Sequence, residues 1–349
     1  TNNSRNVTID VQKQHILDEK NMREKFQENI SLQNNFEKKK FTFATHGHNC
    51  IYDSLINEKI CSFCNKEFVN GIPVVPMEHV MEKDHCDTRI AEFNRRTMTD
   101  QKSEEWLRAR HECVTASVVA KITDKLESKT IKSMIIEKAH YGKYSKNIKN
   151  IYTTYGELYE PLANMVYDYR SGRNTYEFGL IKHPMYNFIG ASTDGVTNDL
   201  INIEIKCPTS RVVDGHISQL YYEQMQLQME VWDLEECDFL ETTFKEYENE
   251  EEFLNDGNLF NKTKDDKLKG IIVRFFDGNE PVYKYPPLNL NQKDFDNWYD
   301  KIMDEDNNLS WIQNIYWYMD NYSLVLVPRN KIWFKTVLPE LQNVWNTIL

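Results

Sequence analysis

The sequence predicts an α/β fold, in which a central mixed sheet is flanked by helices and preceded by an N-terminal zinc-binding extension. Three observations support this prediction. Residues 201–205 are rich in β-branched side chains and bounded by turn residues, as is typical of a short strand. Leu158, Leu162 and Val166 recur at the spacing of one helical face. The third observation is a pair of cysteines followed by a pair of histidines near the start of the chain.

Composition limits the class of protein. The 349 residues are 40% hydrophobic, which is enough to bury the core of one large domain or two modest ones. No run of about 18 apolar residues is present, so we expect no membrane span, and the polar start predicts no signal peptide. Seven unevenly placed cysteines suit a reducing, intracellular compartment better than a disulfide scaffold. The chain has no Walker motif and no Rossmann fingerprint.

Charge is unevenly distributed along the chain. The net charge is −12, whereas DNA-binding proteins are usually basic. Eight lysines nevertheless lie in residues 121–149, and such a segment can bind phosphates locally, although a solvated helix face explains it equally well. Residues 241–256 are acidic, and the charged residues 246–269 are expected to form a mobile insertion. We place a domain boundary after residue 98, between residues 1–98 and residues 99–349.

The N-terminal segment contains a candidate zinc site. Cys61, Cys64, His79 and His85 follow the pattern C-x2-C-x14-H-x5-H. Paired ligands separated by a longer span suit tetrahedral zinc. The alternative is that these are ordinary core and surface residues. We expect a structural role for the zinc module, which follows a polar helical arm over residues 1–40.

The central stretch of the chain carries a candidate catalytic group. Side chains alternate along a strand, so Glu204 and Lys206 share one face while Ile203 and Ile205 take the other. A turn places Asp194 where it can reach the same edge. Carboxylates are ligands for Mg²⁺ or Mn²⁺, and an adjacent ammonium can position a nucleophilic water. The alternative is an ordinary strand with an exposed Glu/Lys pair.

Two boxes in this stretch resemble those of a known family. Residues 191–195 are similar to an S-P-D-G box with Thr193 in place of Pro, and residues 204–208 match an E-hydrophobic-K-C-P box. Both resemble the lambda-exonuclease-like, YqaJ viral recombinase family of the PD-(D/E)xK nuclease superfamily. The resemblance covers roughly residues 101–349 and implies a restriction-endonuclease-like core. Abundant Asn, Ile, Lys and Tyr suggests an AT-rich source, such as a giant virus.

The resemblance also implies roles for individual residues. Trp106, Arg110 and Ser117 match a W-x3-R and T-A-S entry motif whose Arg and Ser contact the terminal phosphate of a DNA end; a buried Trp with an outward Arg is the alternative. Glu160 matches a metal-binding Glu, with Glu157 as the alternative. The remaining implied residues are the metal-binding Ile205 carbonyl, the candidate ligand His183, which a turn before Pro184 explains equally well, and the site residues Arg211 and Gln224.

The function implied by this resemblance is hydrolysis of DNA phosphodiester bonds with one or two Mg²⁺ or Mn²⁺ ions. A 5′-to-3′ exonuclease on double-stranded ends, acting in recombination, repair or defence, fits best. A Cas4-like or structure-specific endonuclease is the alternative within the class, and a non-catalytic zinc-module protein that binds DNA or recruits partners is the alternative outside it. A homo-oligomer and a helicase or annealing-protein partner are further expectations.

Overall fold

The computed structural model describes residues 68–69, 72–73, 77–97, 101, 103–123, 128–140, 151–305 and 309–348. Contacts divide the chain into two compact units, Thr1–Val74 and Val75–Leu349. In the first unit, strand β1 (Phe68–Val69) pairs antiparallel with β2 (Ile72–Pro73). All further elements belong to the second unit.

The second unit alternates helices and strands. Its helices are α1 Met77–Arg96, α2 Glu104–His111, α3 Ala116–Thr123, α4 Ser128–Ala139, α5 Ile151–Ser171, α6 Gln219–Trp232, α7 Glu250–Asn255, α8 Gln292–Glu305 and α9 Lys331–Ile348. Its strands are β3 Val114–Thr115, β4 Thr175–Tyr176, β5 Ile181–Lys182, β6 Ile189–Ala191, β7 Gly195–Thr197, β8 Asn202–Lys206, β9 Glu236–Glu246, β10 Lys269–Phe276, β11 Pro281–Lys284 and β12 Ser310–Pro328. No helix among the described residues is both long enough and apolar enough to cross a membrane.

The strands of the second unit form two sheets. The larger sheet has seven strands in the order β11-β10-β12-β9-β8-β7-β4. Its β8 and β9 run parallel, and its other neighbours are antiparallel. In the smaller sheet, β6 pairs parallel with β3 and antiparallel with β5. The expected mixed sheet flanked by helices is therefore confirmed.

Helix α5 packs its apolar stripe on the larger sheet. Leu162 and Val166 are buried against a cluster that includes Ile203 and Ile205 of β8, as their helical spacing predicts. The ring of Tyr159 stacks on Phe244 with 4.9 Å between centroids. Each buried aliphatic side chain of this kind contributes about 1.5–3 kcal/mol. This packing places one face of α5 beside the end of β8.

The charged residues 246–269 are not a loose insertion, and that expectation is wrong. Within them, helix α7 carries Phe253, which is fully buried and packs with Ile271 and Phe295. Lys269 Nζ donates to the carbonyl oxygens of Phe253, at 2.5 Å, and of Asp256, at 2.7 Å. Burial of Phe253 and the hydrogen bonds of Lys269 therefore order the segment despite its polar composition.

The end of α1 shares the core of the second unit. Phe93 is fully buried and lies edge-on to Trp232 of α6, with 5.0 Å between ring centroids. Arg89 donates to the carbonyl of Trp232 at 3.1 Å. The expected boundary after residue 98 stays a prediction, because these contacts establish only where the end of α1 packs.

Candidate active site

Strand β8 brings Glu204 and Lys206 into direct contact. Lys206 Nζ forms an ion pair with Glu204 Oε1, as their shared strand face predicts. Glu204 is fully buried, while a quarter of the Lys206 side chain remains exposed. The carboxylate also accepts hydrogen bonds from Gln224 Nε2 at Oε1 and from Gln228 Nε2 at Oε2, each at 2.7 Å. Glu204 is therefore held on all sides by donors.

Helix α6 supplies both glutamines. It begins at Ser218, whose side chain accepts a hydrogen bond from Tyr221 N. Gln228 lies one turn after Gln224 on the same face, and it also donates to the Ser192 carbonyl at 3.0 Å. Sequence reasoning chose Gln224 alone. The i, i+4 pairing was the signal that could have identified Gln228.

The turn between β6 and β7 brings Asp194 to the same place. Asp194 Oδ2 accepts a hydrogen bond from the backbone N–H of Ile205 at 2.7 Å. This bond ties the turn to β8 one residue after Glu204. Two carboxylates and one ammonium therefore meet at this end of the strand.

The three groups perturb one another. Burial raises the pKa of Glu204 to about 7, and the negative charge of Asp194 adds to that increase, while Lys206 opposes it. Burial favours the neutral amine of Lys206, but the two carboxylates outweigh it and raise the lysine pKa. Lys206 is therefore a cation near neutral pH. An acid held close to its protonation point beside a fixed cation is typical of a reactive site.

A cavity of about 700 Å³ opens beside Asp194 and the strand residue Ile205. Its wall includes Glu160 and Asn164 of α5, together with Asp194 and Ile205. Gln101 also lines the cavity and donates from Nε2 to the carbonyls of Phe178 and Thr193, each at 2.7 Å. The cavity is large enough to admit a nucleotide-sized ligand.

The chemistry of this wall fits a hard divalent cation. Glu160, Asp194 and the Ile205 carbonyl are oxygen donors, which Mg²⁺ and Mn²⁺ prefer. The buried Oδ1 atom of Asn164 has no hydrogen-bond partner. Across the described part of the chain, no three His, Cys, Asp or Glu side chains are grouped closely enough to hold a metal ion as they stand. The donor set therefore suits the ion, while a finished coordination shell is not formed.

His183 lies away from the cavity wall. Its Nδ1 accepts hydrogen bonds from the backbone N–H groups of Met185 at 3.1 Å and Tyr186 at 3.2 Å. Its Nε2 is 3.6 Å from Glu230, and its ring stacks on Phe334. Both ring nitrogens thus have protein partners, as expected of a structural histidine. We leave His183 out of the proposed metal site.

The residues expected at the DNA end form one cluster. Ser103 caps α2 by accepting from Trp106 N at 3.1 Å. The guanidinium of Arg110 lies 4.3 Å from the Trp106 ring centroid and donates to Ser117 Oγ at 3.0 Å. Trp106 Nε1 donates to Ser192 Oγ at 2.9 Å, two residues before Asp194. The cluster is thus linked to the turn that carries Asp194.

Lys138 stabilises the backbone of this cluster, a role that was not predicted from the sequence. It is buried, and its Nζ donates to the carbonyls of Arg110 and Cys113, each at 2.7 Å. Burial lowers its pKa to about 8. The only available signal was a lysine one turn after the buried Met134 on α4.

Arg211 lies near Lys206, at the same tyrosine ring. It pairs with the carboxylate of Glu241. Its guanidinium and the ammonium of Lys206 each lie 5.2 Å from the ring centroid of Tyr221. Tyr221 therefore contacts two cations through its ring.

The zinc prediction falls mostly outside the described residues. Cys61, Cys64 and the side chain of His79 are not described, and His85 is exposed on α1. The zinc site stays a prediction.

Comparison with known proteins finds similarity in the central region of the chain. Residues 105–243 match the family model of the YqaJ-like viral recombinase domain. A relative from Acanthamoeba polyphaga mimivirus, "Uncharacterized protein R354", is 29% identical over 304 residues. That match covers 75% of this chain and 55% of the relative, so the chain spans about half the length of that protein. The family resemblance is confirmed for the matched region, as is the existence of a giant-virus relative.

Two solved exonuclease structures share similarity with the chain. An alkaline exonuclease from Laribacter hongkongensis has 22% identity and a TM-score of 0.45, covering 70% of this chain and 92% of that one. A phage-related exonuclease from Haemophilus somnus 129PT has 15% identity and a TM-score of 0.37, covering 68% and 93%.

Proposed function

We propose that the protein is a divalent-metal-dependent deoxyribonuclease that hydrolyses phosphodiester bonds, acting as a 5′-to-3′ exonuclease on double-stranded ends. The observation that carries this proposal is the meeting of Glu204, Lys206 and Asp194, of which Asp194 lines a cavity that Glu160 also lines. The match of residues 105–243 to the YqaJ-like viral recombinase domain supports the same class of reaction.

The proposed ion-binding residues are Glu160, Asp194, Glu204 and the carbonyl of Ile205. When bound, one or two Mg²⁺ or Mn²⁺ ions would lower the pKa of water and neutralise charge on the leaving oxygen. Both oxygens of Glu204 already accept hydrogen bonds from Lys206 or the glutamines of α6. Those donors fix the orientation of the carboxylate, so Gln224 and Gln228 are positioning residues in this mechanism.

Lys206 has two proposed tasks in the mechanism. As a cation held against Glu204 it can orient the attacking water by a hydrogen bond and reduce the negative charge around the phosphodiester. Its contact with Tyr221 limits where the ammonium can move. A fixed donor in a partly water-excluded site needs little reorganisation during the reaction, and this is the source of its effect on rate.

The cluster around Arg110 is the proposed seat of a 5′ phosphate. Arg110 and Ser117 provide a guanidinium and a hydroxyl that already lie 3.0 Å apart. Ser117 also lies in the first turn of α3, where backbone N–H groups favour an anion. The ammonium of Lys138, which donates to the Arg110 carbonyl, adds positive charge close to the cluster. The aromatic ring of Trp106 holds the guanidinium in place.

A Cas4-like or other endonuclease is the alternative within the class. The iron–sulfur cluster of a Cas4-like enzyme needs grouped cysteines. Among the described residues, Cys113, Cys207 and Cys237 have separate partners: the Ala109 carbonyl, Thr242 and Asn202, respectively. Digestion of linear and closed circular DNA distinguishes a structure-specific endonuclease without such a cluster from an exonuclease.

A non-catalytic protein is the alternative from another class, with the zinc module as its functional part. In that case residues 1–98 would bind DNA or recruit partners, and residues 99–349 would only support them. Elemental analysis of EDTA-washed protein tests the module: we expect about one zinc atom per chain. Folded protein without zinc would make Cys61 and Cys64 ordinary cysteines.

Digestion of end-labelled duplex DNA tests the proposed function directly. Linear, nicked and covalently closed circular substrates are incubated with and without Mg²⁺. We expect metal-dependent release of label from linear ends and resistance of closed circles. Rapid cutting of closed circles would favour the endonuclease, and binding without cutting would favour the non-catalytic protein. A homo-oligomer and a helicase or annealing-protein partner are further parts of the proposal, which sedimentation and co-purification test.

A further inference from the structure

Asn164 occupies a position that the proposed mechanism does not use. It lies on α5 four residues after Glu160, so the two side chains are neighbours on one helical face. Both line the cavity of about 700 Å³ beside Asp194 and Ile205. The helix that places Glu160 at the cavity therefore places an amide there too.

The amide oxygen of Asn164 lacks a donor. Its Oδ1 atom is buried and has no hydrogen-bond partner. Buried side-chain atoms without a partner occur at four other described residues, none of which lines this cavity. The amides of Gln101, Gln224 and Gln228 around the same site all donate hydrogen bonds to protein oxygens. A buried amide oxygen without a partner, on a residue that lines a polar cavity, calls for an external partner.

The neighbours of Asn164 indicate what that partner is. Glu160 and Asp194 bring carboxyl groups to the wall, and Ile205, whose carbonyl is a proposed ligand, lines it as well. A divalent cation attracts all of these atoms, and amide oxygens are common neutral ligands for such ions. A neutral oxygen also completes a ligand set without adding to the repulsion among the carboxylates.

We propose that Asn164 Oδ1 is an additional oxygen ligand for the divalent cation, bound directly or through one water molecule. The inference rests on the proposed function in that it uses the same ion. It goes beyond that function by assigning Asn164 a role and by predicting a conflict between stability and binding. Without the ion, the amide leaves a buried oxygen unpaired; with it, that oxygen is satisfied.

Three variants of the full chain test the proposal. Asn164→Leu removes the amide at nearly constant size, and Asn164→Asp replaces it with a charged oxygen ligand. Asn343→Leu is the matched control, because Asn343 is an exposed position within helix α9. Calorimetry measures the affinity for Mn²⁺, thermal unfolding in EDTA measures stability without metal, and the duplex assay measures cleavage.

We expect Asn164→Leu to weaken Mn²⁺ binding by about 10- to 100-fold, the usual effect of losing a residue that supports a metal site. In EDTA, the same variant should unfold at the temperature of the Asn343→Leu control or above it. Asn164→Asp should bind Mn²⁺ at least as tightly as the natural protein. The control should leave Mn²⁺ affinity unchanged.

Unchanged Mn²⁺ affinity in Asn164→Leu overturns the proposal, as does weaker binding by Asn164→Asp. Asn164→Asp alone decides the matter if the leucine variant fails to fold. Failure of the proposed function has a different signature. A natural protein that binds Mn²⁺ through Asn164 but leaves every DNA substrate intact would refute the nuclease and keep the ion ligand. A natural protein that binds no Mn²⁺ refutes the ligand, and the cleavage assay then judges the nuclease separately.

Discussion

Two buried acids lie on neighbouring strands of the large sheet and face opposite sides of it. Glu204 of β8 stands opposite Phe239 of β9, whereas Asp238 of β9 stands opposite Ile203. Glu204 therefore faces the glutamines of α6, and Asp238 faces α5. Asp238 accepts a hydrogen bond from Tyr167 at 2.7 Å and pairs with Arg173 at 3.4 Å. Each acid thus has a cation and a neutral donor.

The surroundings of the two acids differ. Arg173 also binds Asp199 at 2.9 Å, so the Asp238 cluster ties the end of α5 to the β7–β8 turn. Next to Glu204 in the chain, Ile205 instead lines a cavity together with Asp194 and Glu160. A buried acid with a cation is therefore not evidence of catalysis by itself. The candidate site is the pair that has an opening for a substrate beside it.

Removal of the two cations should give the largest contrast. We expect Lys206→Ala to lower the cleavage rate by about 10²- to 10⁴-fold, because the variant lacks the donor that orients water, while DNA affinity survives. The matched variant Arg173→Ala should keep the rate per folded molecule within about twofold, since Arg173 lies in the closed cluster. Initial rates on end-labelled duplex and fluorescence anisotropy measure the two quantities. Near-natural turnover in Lys206→Ala would remove this lysine from the mechanism.

Removal of an acid should destabilise the protein more in the Asp238 cluster than at the candidate site. Asp238→Ala leaves the Tyr167 hydroxyl and Arg173 without their partner, and we expect it to lower the free energy of unfolding by about 3–5 kcal/mol. Asp194→Asn keeps an oxygen that can accept from Ile205 N and should change that free energy by less than about 1 kcal/mol. The asparagine variant should nevertheless bind Mn²⁺ more weakly. Urea denaturation measures the unfolding free energies of the two variants, and calorimetry measures their Mn²⁺ affinities. Equal losses of stability would contradict the difference between the two regions.

The DNA end gives a third test, because it asks whether the open region receives a terminal phosphate. A 5′-phosphorylated end should be degraded about 10- to 150-fold faster than a hydroxyl end, which corresponds to one charge-assisted hydrogen bond of about 1.5–3 kcal/mol. Arg110→Ala should abolish most of this preference and keep metal-dependent cleavage. Arg173→Ala should keep the preference. Equal rates on both ends of the natural protein's substrates would argue against the exonuclease assignment.

The smallest expected effect is on the pH dependence of stability. Burial raises the pKa of Asp238 to about 6 from an ordinary 3.8. The folded state therefore binds more protons than the unfolded state between those values. This contribution is fully present below about pH 4 and is lost as the pH rises through 6. Relative to Asp238→Asn, the natural protein should lose about 1–3 kcal/mol of unfolding free energy over that interval.

Urea denaturation of the natural protein and Asp238→Asn at pH 4, 5, 6 and 7 measures this loss. If the natural protein instead becomes more stable than Asp238→Asn as the pH rises toward 7, pairing with Arg173 outweighs burial.

Local patterns in the sequence were sufficient for much of the site. Strand alternation predicted that Glu204 and Lys206 share a face. Helical spacing identified the buried stripe of α5. These features depend on residues a few positions apart, whose geometry the backbone dictates. The family resemblance added Glu160 and Gln224, which lie far from β8 in the chain.

Only the tertiary structure decided the features that depend on distant partners. The donors around Asp238, the support of Arg110 by Lys138 and the folding of residues 246–269 around Phe253 each join segments far apart in sequence. His183 is similar: the sequence predicted a ligand or a turn, and the hydrogen bonds that its Nδ1 accepts from the backbone N–H groups of Met185 and Tyr186 favour the turn. A side chain's burial and its partners are set by how helices and sheets pack, and periodicity carries no record of that packing.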